Sequence, residues 1–247
     1  MRLKLIACNV FMRELCLCIP QTPHVVDLEF LDVGEHVRPD VLRASLQQRI
    51  DASAAGDKRY DAILLAYGVC GNAGIGLQAR SVSLILPRAH DCCTVLLGSR
   101  AEFERHFKDH PSTPFGSVGY MERGDYFLRL TTDSECQTES ESLQAYVEKY
   151  GEENARYIWE SLHPQGEPGS NRAVFIDLPE TAHLGFAERY RQKAEAEGKT
   201  YVRLEGNLRL IRALVMGEWN VADFLTVLPG QKTVGVYDGS EIIRAAP

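Results

Sequence analysis

The feature that most constrains this chain is a pair of short, almost unbroken apolar runs, Asp61–Tyr67 and Ser81–Leu86. A run this short without polar alternation reads as a strand covered on both faces. Such strands belong to parallel sheets with helices packed above and below. Around this pair the chain alternates strand-like and helix-like periods. Leu3–Cys8 reads as a strand and Met12–Cys18 as a helix closed by Pro20 and Pro23. Val25–Val33 reads as the next strand, followed by a helix that starts at Pro39 and carries Val41, Leu42, Leu46 and Ile50 along one face. Further helices are expected over 92–107 and 143–162, and the segment 111–136 reads as irregular or as a small antiparallel insertion. After 171 the alternation resumes with strands at 173–178, 200–204 and 233–237 and helices at 184–197 and 208–216.

The fold class expected is α/β, built of Rossmann-like layers with a mainly parallel sheet, arranged either as one sheet or as two lobes facing a cleft. His163–Asn171, rich in Pro, Gly and polar residues, reads as a linker between an N-terminal unit, 1–162, and a C-terminal unit, 172–247.

Charge narrows the function. The 27 Lys and Arg against 34 Asp and Glu leave a net charge of −7, and no basic run exceeds a pair, so nucleic acid is not an expected partner. No apolar stretch approaches the roughly 20 residues of a membrane-spanning helix. Seven cysteines, an odd number with no regular spacing, point to free thiols in a reducing cytoplasm.

Three of those thiols, Cys8, Cys70 and Cys92, fall at or just after the carboxyl ends of three expected strands. In an open parallel sheet ligands bind in the crevice beyond those ends. Three cysteines with His90 or Asp91 make a soft donor set suited to zinc or an iron–sulfur cluster. Ordinary burial of small apolar thiols is the competing account, and it is preferred for Cys16, Cys18 and Cys136. His90 reads as a ligand, a general base or, by preference for a lone histidine, a packed core residue, and Asp91 as the cap of the following helix. The glycine-dense turn after the 61–67 strand has the order GxxGxG, which matches neither the dinucleotide fingerprint nor the Walker pattern. A tight connection explains it, and Gly71, Asn72 and Gly74 stand as candidate cofactor contacts. Glu205–Asn207 is a candidate cleft lining, with Asn207 read as a helix cap.

Ala7-Cys8-Asn9 with Arg13-Glu14-Leu15, Tyr67-Gly68-Val69-Cys70-Gly71-Asn72, and Pro87-Arg88-Ala89-His90-Asp91-Cys92-Cys93-Thr94 together resemble an uncharacterised bacterial and archaeal family, a domain of unknown function. Tyr146 with Lys149-Tyr150-Gly151, and Gly217-Glu218-Trp219 with Phe224 and Pro229-Gly230, resemble its later, looser motifs. Members of that family are often encoded beside corrinoid-dependent methyltransferases and their corrinoid proteins. The resemblance therefore implies methyl-group or one-carbon metabolism, with a small-molecule methyl donor or acceptor and a corrinoid protein or methyltransferase as partners. It supports Cys8, Cys70 and Cys92 as one functional set and Cys92 rather than Cys93 as the working thiol. Two functions are expected from it: a thiolate–zinc methyltransferase, or an accessory protein that holds a cluster or a corrinoid without turnover.

Overall fold

The computed structural model describes residues 1–33, 38–108, 113–123, 171–236 and 241–247. The two apolar runs form adjacent strands, β3 (Ala62–Ala66) and β4 (Leu84–Pro87), with every residue of both buried. Strand β1 (Arg2–Cys8) pairs in parallel with β3 on one side and with β2 (Val25–Leu31) on the other, and β3 pairs in parallel with β4. A fifth strand, β8 (Phe224–Val227), lies antiparallel against β4, giving the order β2-β1-β3-β4-β8. The molecule is thus a mixed α/β structure around a mostly parallel five-stranded sheet.

The helices follow the expected periods with informative departures. Helix α1 (Met12–Cys18) connects β1 to β2, and α2 (Pro39–Ala55), opened by its proline, buries Leu42, Leu46 and Ile50 and leads into β3. The chain leaves β1 toward β2 on one side and returns through α2 to β3 on the other. In open α/β sheets, the carboxyl ends of strands flanking such a reversal of strand order are where ligands bind. The helix expected over 92–107 is two helices, α3 (Cys92–Leu97) and α4 (Arg100–Phe107). Gly98 breaks it: at φ +81 it donates its N–H to Thr94 and Val95, and the Ser99 hydroxyl then caps α4 by accepting from Glu102 N. All six residues of α3 are buried, as suits a helix wedged between layers.

The described part of the segment expected to be irregular or antiparallel is ordered differently. Residues 115–116 form β5 (Phe115–Gly116) in a second sheet, parallel to β6 (Arg172–Asp177), which in turn pairs in parallel with β7 (Thr200–Glu205). Directly after β5 comes α5 (Val118–Arg123). Two helices, α6 (Phe186–Ala196) and α7 (Arg209–Met216), complete the α/β alternation. The strand expected at 233–237 is β9 (Lys232–Gly235), and it pairs antiparallel with β10 (Ile243–Ala246) rather than extending a parallel sheet.

Val174, Ile176 and Leu178 beneath the second sheet share one hydrophobic core with Leu64 and Leu86 of the first. The expected helix over 143–162 and residues 163–170 of the expected linker lie outside the described residues. Chain from beyond that boundary nonetheless enters the first sheet as β8. Among the described residues no helix is long and apolar enough to cross a membrane.

Candidate functional site

Cys8 is the last residue of β1, opposite Leu31 of β2. The next residue, Asn9, fixes this strand end: its side chain accepts from Val33 N at 3.0 Å and donates to Asp32 at 3.2 Å. Cys70 follows β3 and Cys92 follows β4, and the two loops are laced together. Val69 N donates to Ala89 O and Cys70 N to His90 O, each at 2.9 Å. Gly68 makes that lacing possible, because a Cβ there would lie 2.6 Å from Asp91 N.

Cys70 adopts φ +46, and Gly71 and Asn72 continue at +62 and +72. Three successive left-handed residues, two of them with side chains, cost roughly 1–2 kcal/mol at each non-glycine position. The surroundings hold them there. Gly74 N bonds Val69 O at 2.9 Å, Arg43 of α2 donates to Asn72 O at 2.8 Å, and the Thr233 hydroxyl of β9 donates to Gly74 O at 2.8 Å. Strain of this kind, clamped from two elements, is a mark of functional loops.

The three thiols meet. Cys92 is hydrogen-bonded to Cys8 and to Cys70, and a fourth group, the phenol of Tyr120 on α5, reaches Cys92 as well. Helix α5 gets there because it lies directly on the turn after β1. A Cβ on Gly119 would sit 1.8 Å from Val10 O, so only glycine allows the approach. All four side chains are buried. The hydrogen bond with Cys92, then burial, drives the Cys8 and Cys70 thiols far above their ordinary values; Tyr120 is driven up by burial first and by the thiols second. Asp32 acting on Cys8 and Asp91 acting on Cys70 push the same way. Cys8 and Cys70 therefore rest as neutral thiols at pH 7.

Among the described residues, no group of three or more His, Cys, Asp or Glu is placed so that it could hold a metal ion. The thiols are linked through Cys92 at the centre, and Cys8 acts on Cys70 only through its field.

The other residues singled out by the sequence lie around this cluster rather than in it. His90 turns to α4, its ring 5.1 Å from that of Phe103, and partial cover followed by the Arg100 charge holds its pKa down. Asp91 caps α3, accepting from Thr94 N at 3.1 Å, and burial pushes its pKa up to about 6. Cys93 is buried, and its thiol is driven up by desolvation and by Asp91 and Cys92. Gly71 and Asn72 are exposed at the tip of their turn, whereas Gly74 is packed against Gly68 O. Asn207 accepts from Arg209 N at 3.0 Å at the start of α7 and also donates to Leu97 O at 3.0 Å, tying α7 to the end of α3. Cys18 is buried and Cys16 exposed, both on α1 and apart from the trio; Cys136 lies outside the described residues.

Sequence reasoning passed over Tyr120, and it named Glu14 inside a motif without giving it a role. Tyr120 had only a weak signal, a glycine before an aromatic in a turn-rich stretch. Glu14 had a clearer one: it falls between Phe11, Leu15 and Cys18 on the apolar face of the α1 period. Its carboxyl is buried, both oxygens are without a hydrogen-bond partner among the described residues, and burial pushes its pKa up to about 7.

No curated protein and no solved structure was found to match the chain. A family described as a protein of unknown function, DUF1638, matches residues 30–215, a span that holds Cys70, Cys92 and Tyr120 and begins after Cys8. With three quarters of its length inside that match, the chain belongs to the DUF1638 family.

Proposed function

We propose that Cys8, Cys70 and Cys92 are the thiolate ligands of a soft metal ion, zinc, in a protein of corrinoid-linked methyl-group metabolism. The observation that supports this best is the buried contact of Cys92 with both other thiols, brought from three loops at the carboxyl ends of three parallel strands. Three thiols suit such an ion by their softness, while this structure does not arrange them to hold one. Asp32 beside Cys8 and Asp91 beside Cys70 raise the pKa of those two thiols, and a divalent cation would reverse that balance by taking the thiols as thiolates.

The chain's own groups divide the remaining work. The clamped left-handed turn presents the Cys70 thiol, Gly68 keeps the Cys70 and Cys92 loops in register, and the Tyr120 hydroxyl orients the Cys92 sulfur. His90, turned toward Phe103, has no part in the ligand set of this reading. When bound, zinc with one open position supplies a Lewis acid that activates a methyl-acceptor thiol. The methyl-transfer context rests on the resemblance of the three cysteine motifs to their family. The same reading takes the two parallel sheets as Rossmann-like layers facing each other across the thiols, in a reducing cytoplasm that keeps them free.

The test is metal content after anaerobic purification. The wild-type chain is expected to carry one zinc, and Cys8→Ser, Cys70→Ser and Cys92→Ser each to lose most of it, because a neutral hydroxyl replaces a soft thiolate poorly. Cys16→Ser, Cys18→Ser and Cys136→Ser are expected to keep it. A wild-type protein without stoichiometric metal overturns the reading. Single-turnover transfer from a methylated corrinoid protein to a thiol then separates an enzyme from an accessory protein, which would hold the metal and transfer nothing.

A further inference from the structure

Helices α1, α5 and α6 line an open surface groove of ≈ 650 Å³ whose chemistry is unlike that of the chain as a whole. On a protein of net charge −7 this groove gathers three arginines, Arg13, Arg123 and Arg189, and a single carboxylate, Glu122. Arg13 and Glu122 neutralise one another through paired hydrogen bonds, two of them at 2.9 Å. The other two guanidiniums are left over. Arg123 donates to the Met12 thioether, a weak acceptor, and has no carboxylate partner among the described residues. Arg189 lies 4.0 Å over the Phe186 ring and likewise has no acceptor there. Stacking on an aromatic face fixes a guanidinium plane while leaving its N–H fork open, which is how arginine is arranged to receive a planar or tetrahedral oxyanion. Met12, Met121 and Phe186 supply an adaptable apolar floor beside those forks.

The geometry points to a binding site for an organic oxyanion, a phosphate monoester or carboxylate on an apolar body, with Arg123 and Arg189 holding the anionic head and Met121 and Phe186 the body. Three guanidiniums against one carboxylate, Glu122, whose field reaches Arg123 and Arg189 as well as Arg13, leave the concavity with an excess of positive charge that concentrates anions against the repulsion of the rest of the surface. The volume lies within the range of small-molecule sites. The groove shares no residue with the thiol cluster, so the fate of this proposal is independent of the metal reading.

The groove carries its own reporter, because Cys16 lines it and is exposed while the other described cysteines are buried. Alkylation at Cys16, in which its thiolate displaces iodide, can be followed on that residue's peptide by mass spectrometry with anionic iodoacetate and neutral iodoacetamide. In the wild-type chain the ratio of the iodoacetate rate to the iodoacetamide rate is expected to exceed that of the Arg123→Gln/Arg189→Gln variant by about threefold or more, since only the anionic reagent feels the field. Phenyl phosphate is expected to protect Cys16 saturably, with affinity falling about tenfold or more in the same variant, the loss expected from removing charge-assisted bonds. Arg80→Gln/Arg105→Gln removes equal charge elsewhere and is expected to behave as wild type. Circular dichroism checks that each variant is folded. Equal rate ratios in wild type and variant, or no saturable protection by about 10 mM phenyl phosphate, overturn the site; protection lost equally in the Arg80/Arg105 control reduces it to bulk electrostatics and overturns it as well.

Discussion

Replacing Glu14 with glutamine is expected to stabilise this protein at neutral and alkaline pH, against the usual expectation for a change at a buried residue. Burial of the Glu14 carboxyl, with the nearby charges of Glu122 and Glu180 opposing that of Arg13, moves its pKa from 4.5 to about 7. Each pH unit between folded and unfolded pKa values corresponds to about 1.4 kcal/mol, so the ionised carboxylate costs the fold about 3 kcal/mol. The sign follows from proton binding. Between pH 4.5 and 7 the folded chain keeps a proton that the unfolded chain has released, so stability from this group is full below about 4.5. It declines as pH rises and is lost above about 7. Glutamine has no such step, although its amide pays roughly 1–2 kcal/mol for burial without a partner. Urea unfolding from pH 4 to pH 8, with wild type and Glu14→Gln compared at each pH, isolates the effect, because the contribution of Asp91 is common to both and cancels. The difference curve is expected to climb in favour of the variant by about 3 kcal/mol across this range, leaving it about 1–2 kcal/mol more stable at pH 8. Parallel curves, or a variant less stable at pH 8, would refute the reasoning.

Gly119→Ala places a methyl group on the Val10 carbonyl oxygen and is expected to cost about 1–3 kcal/mol by denaturant unfolding, and to lower zinc retention by moving Tyr120 away from Cys92; unchanged stability would mean that α5 does not lie as described. At Cys70, where φ is +46, glycine is expected to be about 1 kcal/mol more stable than alanine, a comparison in which both variants lack the thiol and only the left-handed backbone distinguishes them. Equal stabilities would show that the turn relaxes on substitution.

The parts of this fold that were legible in the sequence are those in which a local pattern carries the information. β3 and β4 announce themselves because burial on both faces leaves no room for polar alternation, and the thiols were found because strand ends in a parallel sheet are a place as well as a pattern. Non-local pairing is what escaped. Phe224–Val227 is too short to show a period, and its place beside β4 is decided by the sheet edge it covers. β5 is two residues long and exists only through β6. Tyr120 joins the thiols through a helix whose position depends on a glycine packing against a distant carbonyl. His90 illustrates the converse: its neighbours in sequence suggest a ligand, while a ring on the following helix decides where it points. Glu14 was visible as a charge on an apolar face, a mismatch of local pattern and chemistry of the kind that marks functional or strained positions.

The central claim, one soft metal held by Cys8, Cys70 and Cys92, is tested most directly by X-ray absorption at the zinc edge on anaerobically loaded protein. The account predicts a shell of three sulfurs at ~2.3 Å with one lighter donor, falling to two sulfurs in each single Cys→Ser variant that retains metal. A shell made only of nitrogen and oxygen, or a sulfur count unaffected by those substitutions, would contradict it.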